Sequence, residues 1–177
     1  MKMPKSLSLF AVAVLCFGAT EPRVPRKALA GVEGSLNDKF RTVTTDPYDL
    51  LGTARGTYLD GYGALFTVEL QLVYLTPPMP FRGAYTPQEL TTMHDRKMKK
   101  LPVMKETMRS LLASASNALD SMPLTEQVSM EAILWHYSWE DSRGIPQRIF
   151  MSAEKGKLIQ AQADHTDLSK VIQEREQ

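Results

Sequence analysis

Alternating apolar and polar positions predict four strands arranged as two hairpins. From Ala64 to Leu75, apolar side chains occupy every second position while Thr67, Glu69 and Gln71 lie between them. This period of two indicates a strand with one buried face. Asp60-Gly61 separates it from a shorter strand at 54–59, and Asp-Gly between apolar runs is a strong hairpin signal. A second pair, 126–139 and 147–152, flanks a polar loop at 140–144.

The segment between these two hairpins has helical periodicity. Thr86, Pro87 and Glu89 form a capping-box pattern that predicts a helix from Pro87 to about Lys100. Pro102 is expected to break or kink it, because proline lacks the amide hydrogen that a helix interior needs. A second helix then runs to Leu119. It carries an apolar stripe consisting of Met104, Met108, Leu111, Leu112, Ala115 and Leu119.

The end of the chain contains two weaker helical signals. Residues 153–162 have some helical character despite Gly156, and Asp164 is placed to cap a final helix from His165 to about Glu174. The order of elements predicts an α+β fold. We expect an antiparallel sheet of two β-hairpins, with a kinked helix pair and a C-terminal helix packed on one face.

Domain boundaries follow from changes in composition. Pro22, Pro25, Gly31 and Gly34 make 21–45 irregular, so this segment is expected to be a linker. Residues 46–177 then form a single α+β domain, which is enough chain for one hydrophobic core.

The first residues have the composition of a secretion signal. Lys2 and Lys5 precede an apolar run at 7–18, which is shorter than the roughly 20 residues that a membrane-spanning helix needs. Cleavage is expected after Thr20, with Ala28-Leu29-Ala30 as a later alternative. The sequence therefore predicts an extracytoplasmic protein, either periplasmic or secreted. An uncleaved signal that anchors the chain to the membrane is the alternative, whereas cleavage would leave no stable membrane span.

Cysteine use and charge narrow the range of partners. Cys16 is the only cysteine and lies in the predicted signal, so the mature chain is expected to have no disulfide. Five basic residues and one acidic residue fall within 1–30, which leaves a net charge of −3 on 31–177. A mildly acidic domain argues against a nucleic-acid partner, because phosphate binding needs a basic surface.

One aromatic pattern marks a candidate binding surface. Trp135, Tyr137 and Trp139 alternate, so on a strand they would project to one side, opposite Met130, Ala132 and Leu134. Both tryptophans of the chain belong to this stripe. If open, such a stripe would bind sugars, peptides or a partner protein. Otherwise it would form a second small core.

Catalytic and metal-binding patterns are weaker. His136, Glu140 and Asp141 are the residues to test for a hydrolase with its site between sheet and helices. Methionines near His94 raise the idea of a copper chaperone, but Met104 and Met108 belong to the apolar stripe, and we predict no metal or cofactor site. The basic run formed by Arg96, Lys97, Lys99 and Lys100 is interpreted as a solvated helix face.

These patterns favour a non-enzymatic exported module that binds a protein or peptide, or assembles with itself, through Trp135, Tyr137 and Trp139. An extracytoplasmic hydrolase is the alternative.

Overall fold

A computed structural model of the protein describes residues 23–75 and 84–177. Within them, three helices pack against a six-stranded mixed sheet, which confirms the α+β class. The helices are α1 (Arg26–Thr42), α2 (Pro87–Ala118) and α3 (Lys155–Ala163). The strands are β1 (Asp49–Leu50), β2 (Arg55–Leu59), β3 (Gly63–Gln71), β4 (Gln127–Leu134), β5 (Arg148–Glu154) and β6 (Gln173–Glu176).

Both predicted hairpins are present, and a parallel contact joins them. β2 pairs antiparallel with β3, and β4 pairs antiparallel with β5. Between the hairpins, β3 and β4 run parallel, with Gly63 opposite Gln127 and Leu70 opposite Leu134. A parallel pair needs a long crossover, which α2 supplies by returning the chain to the end where β3 began. The sheet is therefore mixed rather than antiparallel throughout, in the order β1-β3-β4-β5-β6 with β2 also beside β3.

The core lies between the helices and one face of the sheet. Phe66 on β3 and Met130 on β4 are fully buried in it, as the alternation predicted, and so is Met151 on β5. Residues that alternate with them, such as Thr67, Glu131 and Phe150, retain partial exposure. The helices thus cover one face, as expected.

The two helices predicted around Pro102 form one helix, α2, with that proline inside it. Thr86 and Glu89 make the predicted capping box in both directions, with backbone-to-side-chain distances of 2.8 and 3.3 Å. An interior proline costs a helix about 3 kcal/mol. Burial of Met104 and Met108 on the turns that follow offsets that cost, because each buried side chain of this size contributes about 1.5–3 kcal/mol.

The segment 21–45, expected to be a linker, instead contains helix α1. Its buried face consists of Leu29, Val32, Leu36 and Phe40, a spacing of three and four residues. Pro25 occupies the N-cap position, where a missing amide hydrogen costs nothing. The glycines and prolines that indicated irregular chain are therefore compatible with a helix, and the domain begins well before residue 46.

Helix α1 also closes one edge of the sheet. A Glu33 carboxylate oxygen accepts a hydrogen bond from the Gly56 amide at 2.6 Å, and Arg26 donates to both oxygens of the same carboxylate. Asn37 accepts from the Ala54 amide at 2.8 Å. These contacts satisfy one backbone donor within strand β2 and one just before it, which an open edge would expose to other chains.

The C-terminal region differs from the predicted final helix at 165–174. Helix α3 corresponds to the weaker helical signal at 153–162, and His165 follows it with a positive φ of 51°. Residues 173–176 then form β6 beside β5. Glu174 on this strand pairs with Lys105 and Arg109 of α2 at 3.1 and 2.7 Å. Pairing with a strand and with basic side chains on α2 outweighs the local helical signal.

Replacing Glu33 tests its role at the sheet edge. Hydrogen bonds from Arg26 hold the pKa of Glu33 below its ordinary value of 4.5. A lowered carboxylate pKa stabilises the fold above that value, and the contribution is lost as the pH falls through the folded pKa. Glu33→Gln should cost about 1–3 kcal/mol at neutral pH, because it weakens charged hydrogen bonds. Urea unfolding from pH 3 to 7 should show a shallower acid limb for the variant.

Glu106→Gln is the control, since Glu106 is 71% exposed and pairs with Arg109 one helical turn away. Equal unfolding free energies for Glu33→Gln and the wild type at neutral pH would contradict the proposed edge contact.

Candidate aromatic binding surface

A long loop leaves the sheet where β3 and β4 end. The strand predicted to reach Trp139 stops at Leu134, and residues 135–147 form a loop before β5. Two backbone hydrogen bonds fix its ends: Leu134 donates to Gln147 at 2.8 Å, and Trp135 donates to Leu70 at 2.9 Å. The loop is near the roughly 12–15 residues beyond which irregular connections are uncommon and are often functional.

The predicted aromatic residues lie together on this loop, although the strand does not extend to them. Tyr137 and Trp139 stack with centroids 5.0 Å apart and planes 13° from parallel. Trp139 also stacks with Tyr85, at 5.0 Å and 21°. Trp135 meets Tyr137 edge to face at 4.4 Å and 80°. We refer to these four rings, Tyr85, Trp139, Tyr137 and Trp135, as the aromatic ladder.

The ladder is most exposed at one end. Trp135 is 43% exposed, whereas Tyr137 and Trp139 are half-buried. The stacked faces of Tyr137 and Trp139 cover each other, so Trp135 offers the largest accessible aromatic area. The stripe is therefore neither a fully open surface nor a covered second core, because part of it packs internally and part remains exposed.

A buried ion pair fixes the loop to α2. Lys97 and Glu140 form it, and each side chain is only 4% exposed. The other oxygen of Glu140 accepts the Tyr137 amide at 3.0 Å, so the carboxylate contacts both the helix and the ladder. Burial lowers the pKa of Lys97 to about 8. Truncating one partner of such a pair costs about 3–5 kcal/mol, because the other charge stays buried alone.

His94 provides a second contact between α2 and the loop. Its Nδ1 lies 3.1 Å from the backbone oxygen of Asp141. His94 and Lys97 are three residues apart on the helix, so they lie on the same side of it. The first half of α2 is therefore the support on which the loop rests.

The solvated helix face predicted for the basic run is wrong for two of its members. Lys97 and Lys100 are buried, and Lys100 donates to the backbone oxygens of Asp46 and Pro47 at 2.6 and 3.2 Å. The sequence contained one indication that Lys97 is buried. Lys97 is four residues before Leu101 and seven before Met104, so it falls on the apolar stripe of α2.

The two carboxylates considered for a hydrolase each pair with a different basic side chain. Glu140 pairs with Lys97, and Asp141 pairs with Arg143 at 2.7 Å. Nδ1 of His136 is buried without a hydrogen-bond partner in the described part of the chain. No hydrogen bond among residues 23–75 and 84–177 joins His136 to either carboxylate, so the geometry gives the hydrolase no support.

Side chains that could bind a metal ion are not grouped together in the described residues either. In the described residues, no group of three or more His, Cys, Asp or Glu side chains is placed to hold a metal ion. Met104 and Met108 are fully buried in the core, as their position on the stripe predicted.

Comparison with models of known protein families, with curated proteins and with solved structures finds no match to this chain. Across 23–75 and 84–177, no helix has the length and apolar character needed to cross a membrane. Any function must therefore be inferred from the chain's own geometry.

Unequal ring contacts predict unequal stability costs. Trp139→Ala removes two stacked contacts and should cost about 1–3 kcal/mol, since each aromatic pair contributes about 0.5–1.5 kcal/mol. Trp135→Ala removes one edge contact at an exposed site and should cost about half as much. Urea unfolding followed by far-ultraviolet circular dichroism measures both. Tyr62→Ala, at an exposed turn residue, serves as the control and should stay within about 0.5 kcal/mol of wild type.

A larger loss for Trp135→Ala than for Trp139→Ala would show that the ladder is not stacked in this order.

Proposed function

We propose that this protein is a non-enzymatic exported module that binds a protein or peptide through Trp135, Tyr137 and Trp139. The observation that carries the proposal is the row of four contacting rings that ends in exposed Trp135. Tryptophan and tyrosine contribute large contact areas at low entropic cost, and they are enriched among residues that dominate binding energy. Their position on a long, anchored loop is consistent with this role.

Ring orientation favours a protein or peptide over a sugar. A sugar binds by laying its C–H face on an open aromatic face. In the ladder, the stacked faces between Tyr137, Trp139 and Tyr85 are occupied by one another. The ladder therefore presents mainly ring edges beside one accessible indole, which suits apolar and backbone groups of a polypeptide.

Substituting Trp135 tests this surface directly. Trp135→Ala should weaken binding about 30-fold or more, since a dominant interface tryptophan contributes about 2 kcal/mol or more. The bait is the purified protein, and the sample is a cell-envelope extract of the source organism. Proteins captured by the wild type are identified, and the affinity of each purified candidate is then measured for both baits.

Tyr62→Ala is the matched control, because Tyr62 is a 48% exposed aromatic residue in the turn between β2 and β3. It should bind like the wild type. Sedimentation velocity of the wild type and Trp135→Ala tests self-assembly through the same surface. Equal affinities for wild type and Trp135→Ala, together with unchanged sedimentation, would overturn the proposed site.

We also propose export, with cleavage after Thr20. The alternative site, Ala28-Leu29-Ala30, lies within α1, and cleavage there would remove buried Val24 and Leu29 and the Arg26–Glu33 ion pair. A protease that acts on the unfolded chain could use either site, but only the earlier one preserves the helix that closes the sheet edge. The buried contacts of α1 therefore support Thr20.

Intact mass and N-terminal sequencing of the protein from its native cells should give Glu21 as the first residue. A mature chain that begins at Gly31 would contradict this cleavage site. An uncleaved chain recovered with membranes would support the anchored alternative instead.

A further inference from the structure

The buried ion pair of Lys97 and Glu140 links helix α2 to the aromatic ladder. One Glu140 oxygen pairs with Lys97, and the other accepts the amide of Tyr137 at 3.0 Å. Tyr137 is the ring that contacts both Trp135 and Trp139. A single carboxylate thus connects α2 to the middle of the ladder.

Two further contacts place the same loop on the same side of α2. His94 lies against the backbone oxygen of Asp141 at 3.1 Å. Gly144 passes so close to Met98 that an added Cβ would lie 3.6 Å from the terminal methyl group of that side chain. Three loop positions therefore meet three residues in adjacent turns of one helix, which fixes the loop's orientation.

Stability alone gives a weak reason for burying this pair. Removing two charges from water offsets much of their attraction, and apolar residues of similar size often stabilise a core equally well. What an ion pair adds is geometric specificity, because a loop shifted along α2 would separate the two charges and lose the attraction that offsets their burial. The benefit of this pair is therefore expected in the loop's conformation.

We infer that Lys97 and Glu140 are a positioning pair that holds the aromatic ladder in its stacked arrangement. The biological consequence, control of partner binding, rests on the proposed function; the conformational role does not. Both tryptophans of the chain lie in the ladder, so tryptophan bands in near-ultraviolet circular dichroism report on it alone.

The test is the double variant Lys97→Met/Glu140→Leu, which removes both charges without leaving one unpaired. It should keep the far-ultraviolet spectrum and cooperative unfolding, yet lose more than half of the near-ultraviolet tryptophan signal. Arg96→Met is the matched control, since Arg96 is the adjacent helix residue with a half-exposed side chain paired to Asp46. Its tryptophan signal should equal that of the wild type.

A folded double variant with an unchanged tryptophan signal would overturn the positioning role. If the double variant does not fold, Glu140→Asp decides, because the shorter side chain keeps the charge but cannot reach Lys97 and the Tyr137 amide together. A reduced signal in that folded variant supports the role, and an unchanged one overturns it. A lost ladder signal with unchanged partner affinity would instead overturn the proposed function and leave the positioning role intact.

Discussion

The structure depends on helix α2 and its contact with the central parallel strands. Because β3 and β4 run parallel, the chain must cross from one end of the sheet to the other, and α2 makes that crossing. Its buried stripe, which includes Met104, Met108 and Leu112, packs on the sheet face that Phe66 and Met130 line. A helix that packs along the sheet's centre can contact elements at both ends, and polar side chains, most of them on α2, make these contacts.

Those polar contacts place the less regular parts of the chain. Just beyond its C-terminal end, Lys155 of α3 donates to the backbone oxygens of Leu119 and Met122 at 2.6 and 2.8 Å, and Leu119 is the C-cap residue, whose carbonyl lacks a helical partner. In the middle, Lys105 and Arg109 bind Glu174 on the last strand. Near the N-terminal end, His94 and Lys97 hold the ladder loop. Ion pairs and capping contacts thus determine where segments without a strong apolar pattern lie.

Local signals in the sequence predicted the elements that depend on neighbouring residues. The Asp60-Gly61 turn, the Thr86–Glu89 capping box and the stripe of α2 follow from the conformational preferences of short segments, and each is present. Pairings between distant residues were not predictable in this way. Nothing near β3 specifies that its neighbour runs parallel, and nothing near Glu140 identifies Lys97 as its partner. Helix α1 is a different case, because its apolar spacing was visible but its glycines and prolines obscured it.

The aromatic ladder illustrates why a surface needs both local and distant contributions. Their placement at every second position identified Trp135, Tyr137 and Trp139 as a candidate surface. The residues lie on a loop, however, where such spacing alone does not align the rings. Their stacking requires a fixed backbone, which the contacts to α2 provide. A free loop of this length would lose much conformational entropy when a partner bound it. Because the contacts to α2 already order the loop when the protein folds, this conformational entropy is lost during folding rather than on binding. The exposed indole of Trp135 is therefore held in a fixed position beforehand.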